Sequence, residues 1–184
     1  MTIEFAFFGI ALVLEFLLGG GLIVSLILPK YRIWPPPKKG SWQYWYIHFS
    51  TESSIFCFLA LGILEWNTWF LTHWLRFVFA SILILVGAPF FLWALRTLTI
   101  ATSLGLKGKL VTYGLYRYSR NPQYVGAILF FSGLIILFNS FYAFIIGTIG
   151  NIWFLLTPFI EEPWLREQFK KEYIDYSKKV PRFI

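Results

Sequence analysis

Long apolar runs dominate this sequence and restrict what it can fold into. Five of them lie at about 3–28, 50–70, 74–98, 122–138 and 141–160, and each approaches the ~20 residues that a helix needs to cross a bilayer. Only 14% of the 184 residues are charged and 58% are hydrophobic, whereas roughly a quarter of a soluble domain is charged. The sequence predicts an all-α integral membrane bundle of five transmembrane helices, in one domain over residues 1–184.

The end of the chain adds two features to this bundle. Only Asn139 and Ser140 separate the fourth and fifth runs, so spans four and five are expected to form a helical hairpin. Residues 161–184 then interleave charges with apolar side chains at helical spacing, which predicts an amphipathic helix on the membrane surface or on the protein itself. The apolar positions of this tail are Trp164, Leu165, Phe169, Tyr173 and Tyr176.

Glycines indicate where the helices approach closely. Gly19, Gly20 and Gly21 follow one another in the first run, and Gly147 and Gly150 lie in the fifth. Small residues let membrane helices pack backbone to backbone. The first and fifth spans are therefore expected to carry tight packing faces.

The distribution of Lys and Arg predicts the orientation. With five spans, fifteen of the sixteen basic residues fall on one side of the membrane, in the loop after span one, in the loop after span three and in the tail, and only Arg76 lies toward the other side. Basic loops stay in the cytoplasm. We therefore expect an outer N-terminus and a cytoplasmic C-terminal helix.

Several classes of partner and cofactor are disfavoured. The net charge of +7 is concentrated in membrane loops, so it does not indicate nucleic-acid binding. Two histidines and one cysteine do not provide the ligands of a structural zinc site, and no metal is expected. No basic segment precedes the first run, so that run is predicted to remain as a span and not to be a signal peptide.

Polar chemistry is concentrated in the loop after span three, which reads KLVTYGLYRYSRNPQYVG over residues 109–126. Asn121 and Pro122 are typical of the start of a helix, whose free N–H groups, with Arg117 and Arg120, form an anion site. The hairpin returns Glu161 and Glu162 to the same membrane surface, and packed helices lie ~8–10 Å apart. The simpler interpretation is a basic loop that sets topology, with surface ion pairs of little energetic value.

These two segments resemble the isoprenylcysteine carboxyl methyltransferase family and the related phospholipid methyltransferases. The resemblance covers about 75 residues. It is specific because two separate motifs agree with the family pattern in order and spacing. The first consists of Leu110-Val111-Thr112, Gly114, Tyr116 and Arg120-Asn121-Pro122-Gln123-Tyr124-Val125-Gly126. The second consists of Glu161-Glu162, Leu165, Tyr173, Tyr176 and Val180-Pro181-Arg182. Asn121 departs from the pattern, since many members have histidine there, and asparagine cannot take up a proton near neutral pH.

The resemblance implies S-adenosylmethionine as the cofactor and a methyl transfer to a lipophilic acceptor that enters from the bilayer. It assigns residues 99–184 to the cofactor-binding half and residues 1–98 to spans one to three. Arg120 and Glu162 are expected nearest the chemistry, and Glu15 and Asn151 are candidate substrate residues. The expected cofactor-binding residues are Lys109, Leu110, Val111, Gly114, Tyr116, Arg117, Tyr118, Asn121, Pro122, Tyr124, Glu161 and Glu162.

The identity of the acceptor stays open at this point. An isoprenylcysteine-type carboxylate, the amine of a lipid headgroup and a small hydrophobic molecule are all compatible with the sequence. Two other classes of protein remain as alternatives: a membrane reductase related to sterol reductases, which would use NADPH, and a membrane scaffold without enzymatic activity.

Overall fold

A computed structural model describes residues 2–183, and all regular secondary structure within these residues is helical. Four of the six α-helices are long and apolar enough to cross a membrane, and α5 is a shorter apolar helix of 17 residues. The helices are α1 (Ile3–Ile27), α2 (Trp42–Leu64), α3 (Leu75–Thr97), α4 (Ile100–Ser103), α5 (Pro122–Phe138) and α6 (Phe141–Lys179). Multi-pass membrane insertion follows from these spans.

The second helix begins earlier than the apolar run predicts. The run starts near residue 50, but α2 begins at Trp42, and the Ser41 hydroxyl accepts a hydrogen bond of 3.2 Å from the Tyr44 N–H. A serine cap of this kind satisfies one of the free N–H groups of a helix start. The length of an apolar run indicates only the part of a helix that lies in the bilayer. The first turns of α2 contain polar residues, so the run does not reveal where this helix begins.

Close packing of α3 on α5 forms one side of the bundle. A Cβ atom added at Gly126 would lie 2.7 Å from the Cα of Phe91, and one added at Gly133 would lie 3.0 Å from the carbonyl oxygen of Ala80. Gly87 faces the backbone of Phe130 and Gly126 in the same way. The backbones therefore touch, as small residues at a membrane helix interface allow.

The predicted glycine contacts of α1 and α6 also occur, but against side chains. Gly19 lies under the indole of Trp153, Gly21 lies against Tyr46, and Gly147 lies against Ile135 and Phe58. Gly150 and Gly20 carry no close packing contact at their Cβ positions. The closest backbone approach was therefore not at the glycines that the sequence singled out.

The turn between α5 and α6 has the two residues predicted for it. Asn139 adopts a left-handed conformation with φ of 48°, and its fully buried side chain joins the turn to the loop after α2. Its amide nitrogen donates to the Asn67 side chain at 3.0 Å and to the Leu71 carbonyl at 3.1 Å, and its oxygen accepts from the Leu71 N–H at 3.0 Å. These bonds fix the end of the bundle opposite the basic loops.

The change in composition at Glu161 does not mark the start of a new helix. The α6 helix continues through Pro158 and Pro163 and breaks at Lys170, whose φ and ψ are 47° and −121°, so only the end of the tail, up to Lys179, is a separate helical segment. Beyond Lys170, the apolar side of the tail packs on the protein: Tyr173, Tyr176 and Val180 form a cluster with Leu110, Leu165 and Phe169.

Candidate functional site

A cavity of about 460 Å³ lies between the helices and extends to the polar loop before α5. Its volume is in the range of small-molecule sites. Side chains of α1, α2, α3, α5 and α6 line it, together with the segments before α2 and α5. Polar groups lie at its two ends, with Arg120, Tyr124 and Glu161 at the loop end and Glu15 and Asn151 toward the interior of the bundle.

Glu161 is the central acceptor at the loop end. Its Oε1 accepts one hydrogen bond of 2.8 Å from the indole N–H of Trp34 and another of 2.6 Å from the hydroxyl of Tyr124. The backbone N–H of Trp34 donates to the Ser25 hydroxyl at 2.9 Å. The Trp34 ring lies against Gly105, where an added Cβ atom would come within 2.5 Å of the ring. Donors from two segments, the one before α2 and the first turn of α5, therefore fix Glu161.

Glu162 points away from the cavity and joins an ion cluster. It is 3% exposed, and its two oxygens accept bonds of 2.7 and 2.8 Å from Nε and Nη2 of Arg182. Nη1 of Arg120 lies 3.2 Å from the same carboxylate. The paired geometry with Arg182 is the bidentate kind that is strongest for this pair of groups. Glu162 therefore holds Arg120 beside the cavity.

Further bonds attach the tail to the polar loop. The Arg120 N–H donates to the Pro181 carbonyl at 2.9 Å, and the Asn121 side-chain amide donates to the Arg182 carbonyl at 3.1 Å. Asn121 occupies the cap position of α5, but its side chain makes no capping bond, which corrects the expectation drawn from the sequence. The residue instead fixes the tail.

Tyr116 lies at the centre of the loop. Its carbonyl accepts a 2.6 Å bond from the Tyr176 hydroxyl, and its own hydroxyl donates to the Gln123 side chain at 2.9 Å. Burial raises the pKa of the Tyr116 phenol, and the negative charge of Glu161 raises it further. The hydrogen bonds to Glu162 raise the pKa of Arg182. Both groups keep their protons at neutral pH.

The residues expected from the sequence divide into two sets. Eight of the expected cofactor and catalytic residues line the cavity: Lys109, Leu110, Val111, Tyr116, Arg120, Asn121, Tyr124 and Glu161. Both substrate candidates, Glu15 and Asn151, line it too. Gly114, Arg117, Tyr118, Pro122 and Glu162 are not among the described residues that line it, and Tyr118 is 65% exposed.

Two residues of the site were not singled out from the sequence. Trp34 was missed because nothing in its own segment indicates a carboxylate partner that lies 127 residues away. Arg182 belongs to the Val-Pro-Arg motif of the tail, but no role was assigned to it. The one signal for such a role was that Glu162 had two possible basic partners, Arg120 and Arg182.

A family model identifies the region around this site. The model of phospholipid methyltransferases matches residues 75–172, which is slightly more than half of the chain and includes α3, the polar loop, α5 and most of α6. No match was found among curated proteins or among solved structures. Methyltransferases of this family use S-adenosylmethionine and act at the membrane, and this decides against the reductase and the scaffold. The chain belongs to the phospholipid methyltransferase family, and it is an S-adenosylmethionine-dependent membrane methyltransferase that acts on a lipid substrate.

Proposed function

We propose that this chain methylates the amine of a lipid headgroup at the loop end of the cavity. The charge of the cavity supports an amine acceptor. Three carboxylates, those of Glu15, Glu52 and Glu161, line it, against the two cations Lys109 and Arg120. Arg120 is paired with Glu162 at 3.2 Å, so acidic side chains outnumber unpaired basic ones along the cavity, and burial raises the pKa of Glu161 to about 7.

The side chains at the loop end fit the cofactor. S-adenosylmethionine supplies an electrophilic methyl group when it is bound. The buried Nε of Arg120 has no hydrogen-bond partner within residues 2–183, and a guanidinium suits the cofactor's carboxylate. Glu161 suits its ribose hydroxyls or its amino group, and the aromatic faces of Tyr116 and Tyr124 suit a sulfonium through cation–π attraction. We propose Arg120 and Glu161 as the principal cofactor-binding residues, with Glu162 in a positioning role.

A gap between α2 and α3 supports entry of the lipid from the bilayer. The α3 helix packs mainly on α5, and α2 packs on α1 and α6. The cavity extends between them and is lined by Thr51 and Ile55 of α2 and by Phe91 and Leu95 of α3. An acceptor held in this gap would meet the cofactor from the side. Methyl transfer depends largely on such alignment of the reacting atoms.

The chemical stability of the product tests the amine acceptor. Membrane extract is incubated with the purified chain and with S-adenosylmethionine that carries a radiolabelled methyl group, and the lipid product is treated with mild base. An N-methyl group stays on the headgroup, whereas a methyl ester releases volatile methanol. We expect more than nine-tenths of the label to remain non-volatile. Volatile label would contradict an amine acceptor, and an unlabelled extract would contradict methyl transfer itself.

A carboxylate acceptor of the isoprenylcysteine type is the second candidate. Lys109 supports it, because this exposed cation lines the mouth of the cavity without a carboxylate partner among the described residues. It is the weaker candidate because Arg120, the other cation, is needed for the cofactor's own carboxylate.

We also propose that α5 crosses the membrane as a fifth span and that the site faces the cytoplasm. The α5 helix is about 26 Å long at 1.5 Å per residue, slightly short of the bilayer core, but its two-residue turn to α6 supports a full crossing. Trp34, Arg120 and Arg182 meet Glu161 and Glu162 at one end, which agrees with the positive-inside rule.

Cysteine labelling tests this topology. The single native cysteine, Cys57, is buried and is replaced by serine. A cysteine is then introduced by Lys38→Cys in the loop before α2 or by Thr68→Cys in the loop after it, both at exposed positions. In intact cells, we expect a membrane-impermeant maleimide to label the Thr68→Cys protein and to spare the Lys38→Cys protein. The reverse pattern would contradict the proposed orientation.

A further inference from the structure

A histidine lies beside the loop end of the cavity, in the part of the chain that precedes the family match. His48 of α2 lines the cavity, and its side chain is 16% exposed. Its Nδ1 lies 3.9 Å from Oε1 of Glu52, one helical turn further along α2. Its Nε2 is buried and has no hydrogen-bond partner within residues 2–183. The imidazole therefore has one nitrogen near a carboxylate and a second nitrogen that no described group occupies.

The indole of Trp34 connects this imidazole to the cofactor end of the cavity. The rings of His48 and Trp34 meet edge to face, with 6.3 Å between their centroids. The same indole donates its N–H to Oε1 of Glu161 at 2.8 Å. His48 and the carboxylate proposed for the cofactor therefore contact one and the same side chain.

His48 also borders the proposed entrance for the lipid. Thr51 and Ile55, which line the gap toward α3, follow it by three and seven residues, so the three side chains share one face of α2. His48 precedes the apolar run that begins near residue 50, and the ring of Tyr44 lies against it with the centroids 4.3 Å apart. Tyrosine and tryptophan mark the level of the lipid headgroups. The headgroup of a lipid held in the gap would therefore meet His48.

An amine headgroup must lose a proton before it can accept a methyl group. At neutral pH a lipid amine is an ammonium ion, whose nitrogen has no lone pair with which to form a bond. A carboxylate acceptor already has such a pair and needs no base. An amine acceptor therefore benefits from a proton acceptor within hydrogen-bond reach, and histidine is the side chain that gains and loses a proton near neutral pH.

Other titratable groups of the lining lie on helices that pack against α2, but they are less suited to this role. Glu15 of α1 lies in the middle of its span, below the headgroup level. Tyr124 of α5 donates its hydroxyl to Glu161 of α6, which is proposed for the cofactor. On α2 itself, the side chain of Glu52 is 77% exposed. His48 is the group of the described lining that combines a free nitrogen with the level of the headgroup.

We propose that Nε2 of His48 is the general base that removes a proton from the ammonium headgroup of the lipid acceptor. Glu52 favours the imidazolium that results, because an opposite charge nearby stabilises the protonated form. This inference rests on the proposed function, because only an amine acceptor needs a base.

The proton and the electrons balance as follows. The N–H bond of the ammonium breaks as an Nε2–H bond forms on His48, and the electron pair stays on the amine nitrogen. The nitrogen uses this pair to bond the methyl carbon, whose bond to sulfur breaks with its electrons remaining on sulfur. His48 then releases its proton to water, so each transfer yields one methylated ammonium and one proton.

Lipid binding in the absence of the cofactor tests the contact between His48 and the headgroup. The purified full-length chain in detergent micelles is titrated at pH 6 and at pH 8 with oleoyl lysophosphatidylethanolamine. The same titration uses the choline lipid with the same acyl chain, whose nitrogen is positively charged but has no N–H. We expect the ethanolamine lipid to bind about tenfold more tightly at pH 8, because a neutral imidazole accepts its N–H and an imidazolium does not.

The choline lipid controls for charge. Burial raises the pKa of Glu161 to about 7, so this carboxylate becomes more negative over the same range and attracts both lipids alike. The affinity for the choline lipid should therefore change by less than about threefold. An equal change for the two lipids would overturn the proposal.

The two histidines of the chain provide a variant and its matched control. His48→Gln keeps a polar side chain that cannot take up a proton, and it is expected to abolish the difference between the two lipids. His48→Asn replaces it if thermal unfolding shows that His48→Gln does not fold. His73→Gln, at an exposed position outside the cavity lining, should keep the difference. A difference that survives substitution of His48 would overturn the assignment.

The pH profile of methyl transfer distinguishes a base from a structural residue. With total membrane lipid as the acceptor, His48→Gln is expected to lower the rate at pH 7 by about a hundredfold, while the affinity for S-adenosylhomocysteine stays within about twofold of the native value. The rate of this variant should then rise by about tenfold per pH unit toward pH 9, because it depends on amines that lose their proton to water. A native pH profile in His48→Gln would overturn the proposal.

The outcome is separable from that of the proposed function. A native chain that transfers no methyl group overturns the proposed function and the base together. A chain that methylates a lipid amine with the same pH profile in the native form and in His48→Gln overturns only the base.

Discussion

Replacing Glu162 by alanine is expected to destabilise the chain by about 3–5 kcal/mol and to abolish methyl transfer, since removing one partner of a buried ion pair leaves the other charge uncompensated. Glu162 is 3% exposed and is bonded to Arg182 at 2.7 Å and to Arg120 at 3.2 Å. Without it, two guanidinium groups repel each other where the tail meets the polar loop. The measurement is thermal unfolding of the purified chain in detergent, with methyl transfer assayed in parallel.

A matched variant separates this effect from a simple change of charge. Glu172→Ala removes the same side chain from an exposed position further along α6, and it should leave both stability and methyl transfer close to the native values. An unfolding temperature unchanged by Glu162→Ala would show that the ion cluster does not hold the tail, and Glu162 would lose its positioning role.

Burial raises the pKa of Glu161 to about 7, so above that pH Glu161→Gln is expected to weaken cofactor binding by about tenfold to a hundredfold, because charge-assisted hydrogen bonds contribute about 1.5–3 kcal/mol. The glutamine oxygen still accepts from Trp34 and Tyr124, which now bond Oε1 of Glu161, so the fold should be retained. Titration calorimetry with S-adenosylhomocysteine measures the affinity, and the thermal stability of the ligand-free protein checks that only binding has changed.

The control for this variant lies on the same helix. Glu167→Gln makes the same chemical change at an exposed residue outside the cavity lining, and the affinity for S-adenosylhomocysteine should stay within twofold of the native value. Native affinity in Glu161→Gln would remove this residue from the cofactor site, whatever the fate of methyl transfer.

Composition and apolar periodicity predict the helical elements well. The bounds of α1, α3 and α5 agree with the apolar runs within one or two residues, and the Asn139–Ser140 turn falls where it was expected. These features are local: an apolar run must be helical in lipid, and a two-residue polar break admits only a turn. The early start of α2 and the continuation of α6 past Glu161 to the break at Lys170 were missed because helices extend beyond the membrane into polar sequence.

Interhelical packing was less predictable. The glycine triplet of α1 and the glycines of α6 were expected to mark the tightest contacts, yet Gly87, Gly126 and Gly133 let α3 and α5 approach at backbone distance. A glycine in the sequence shows only that another helix can approach closely at that position. Which pair of helices meets there depends on the arrangement of all the spans, which no single segment specifies.

The sequence by itself determined that this is a helical membrane protein with its polar chemistry at one face, because apolar length and basic charge act locally. Only the tertiary structure separated Glu161 from Glu162. Neighbours on a helix point about 100° apart, so Glu161 faces the cavity with Trp34 and Tyr124, whereas Glu162 faces Arg120 and Arg182. That difference required residues from four distant segments to meet, since the role of a carboxylate depends on the partners that surround it.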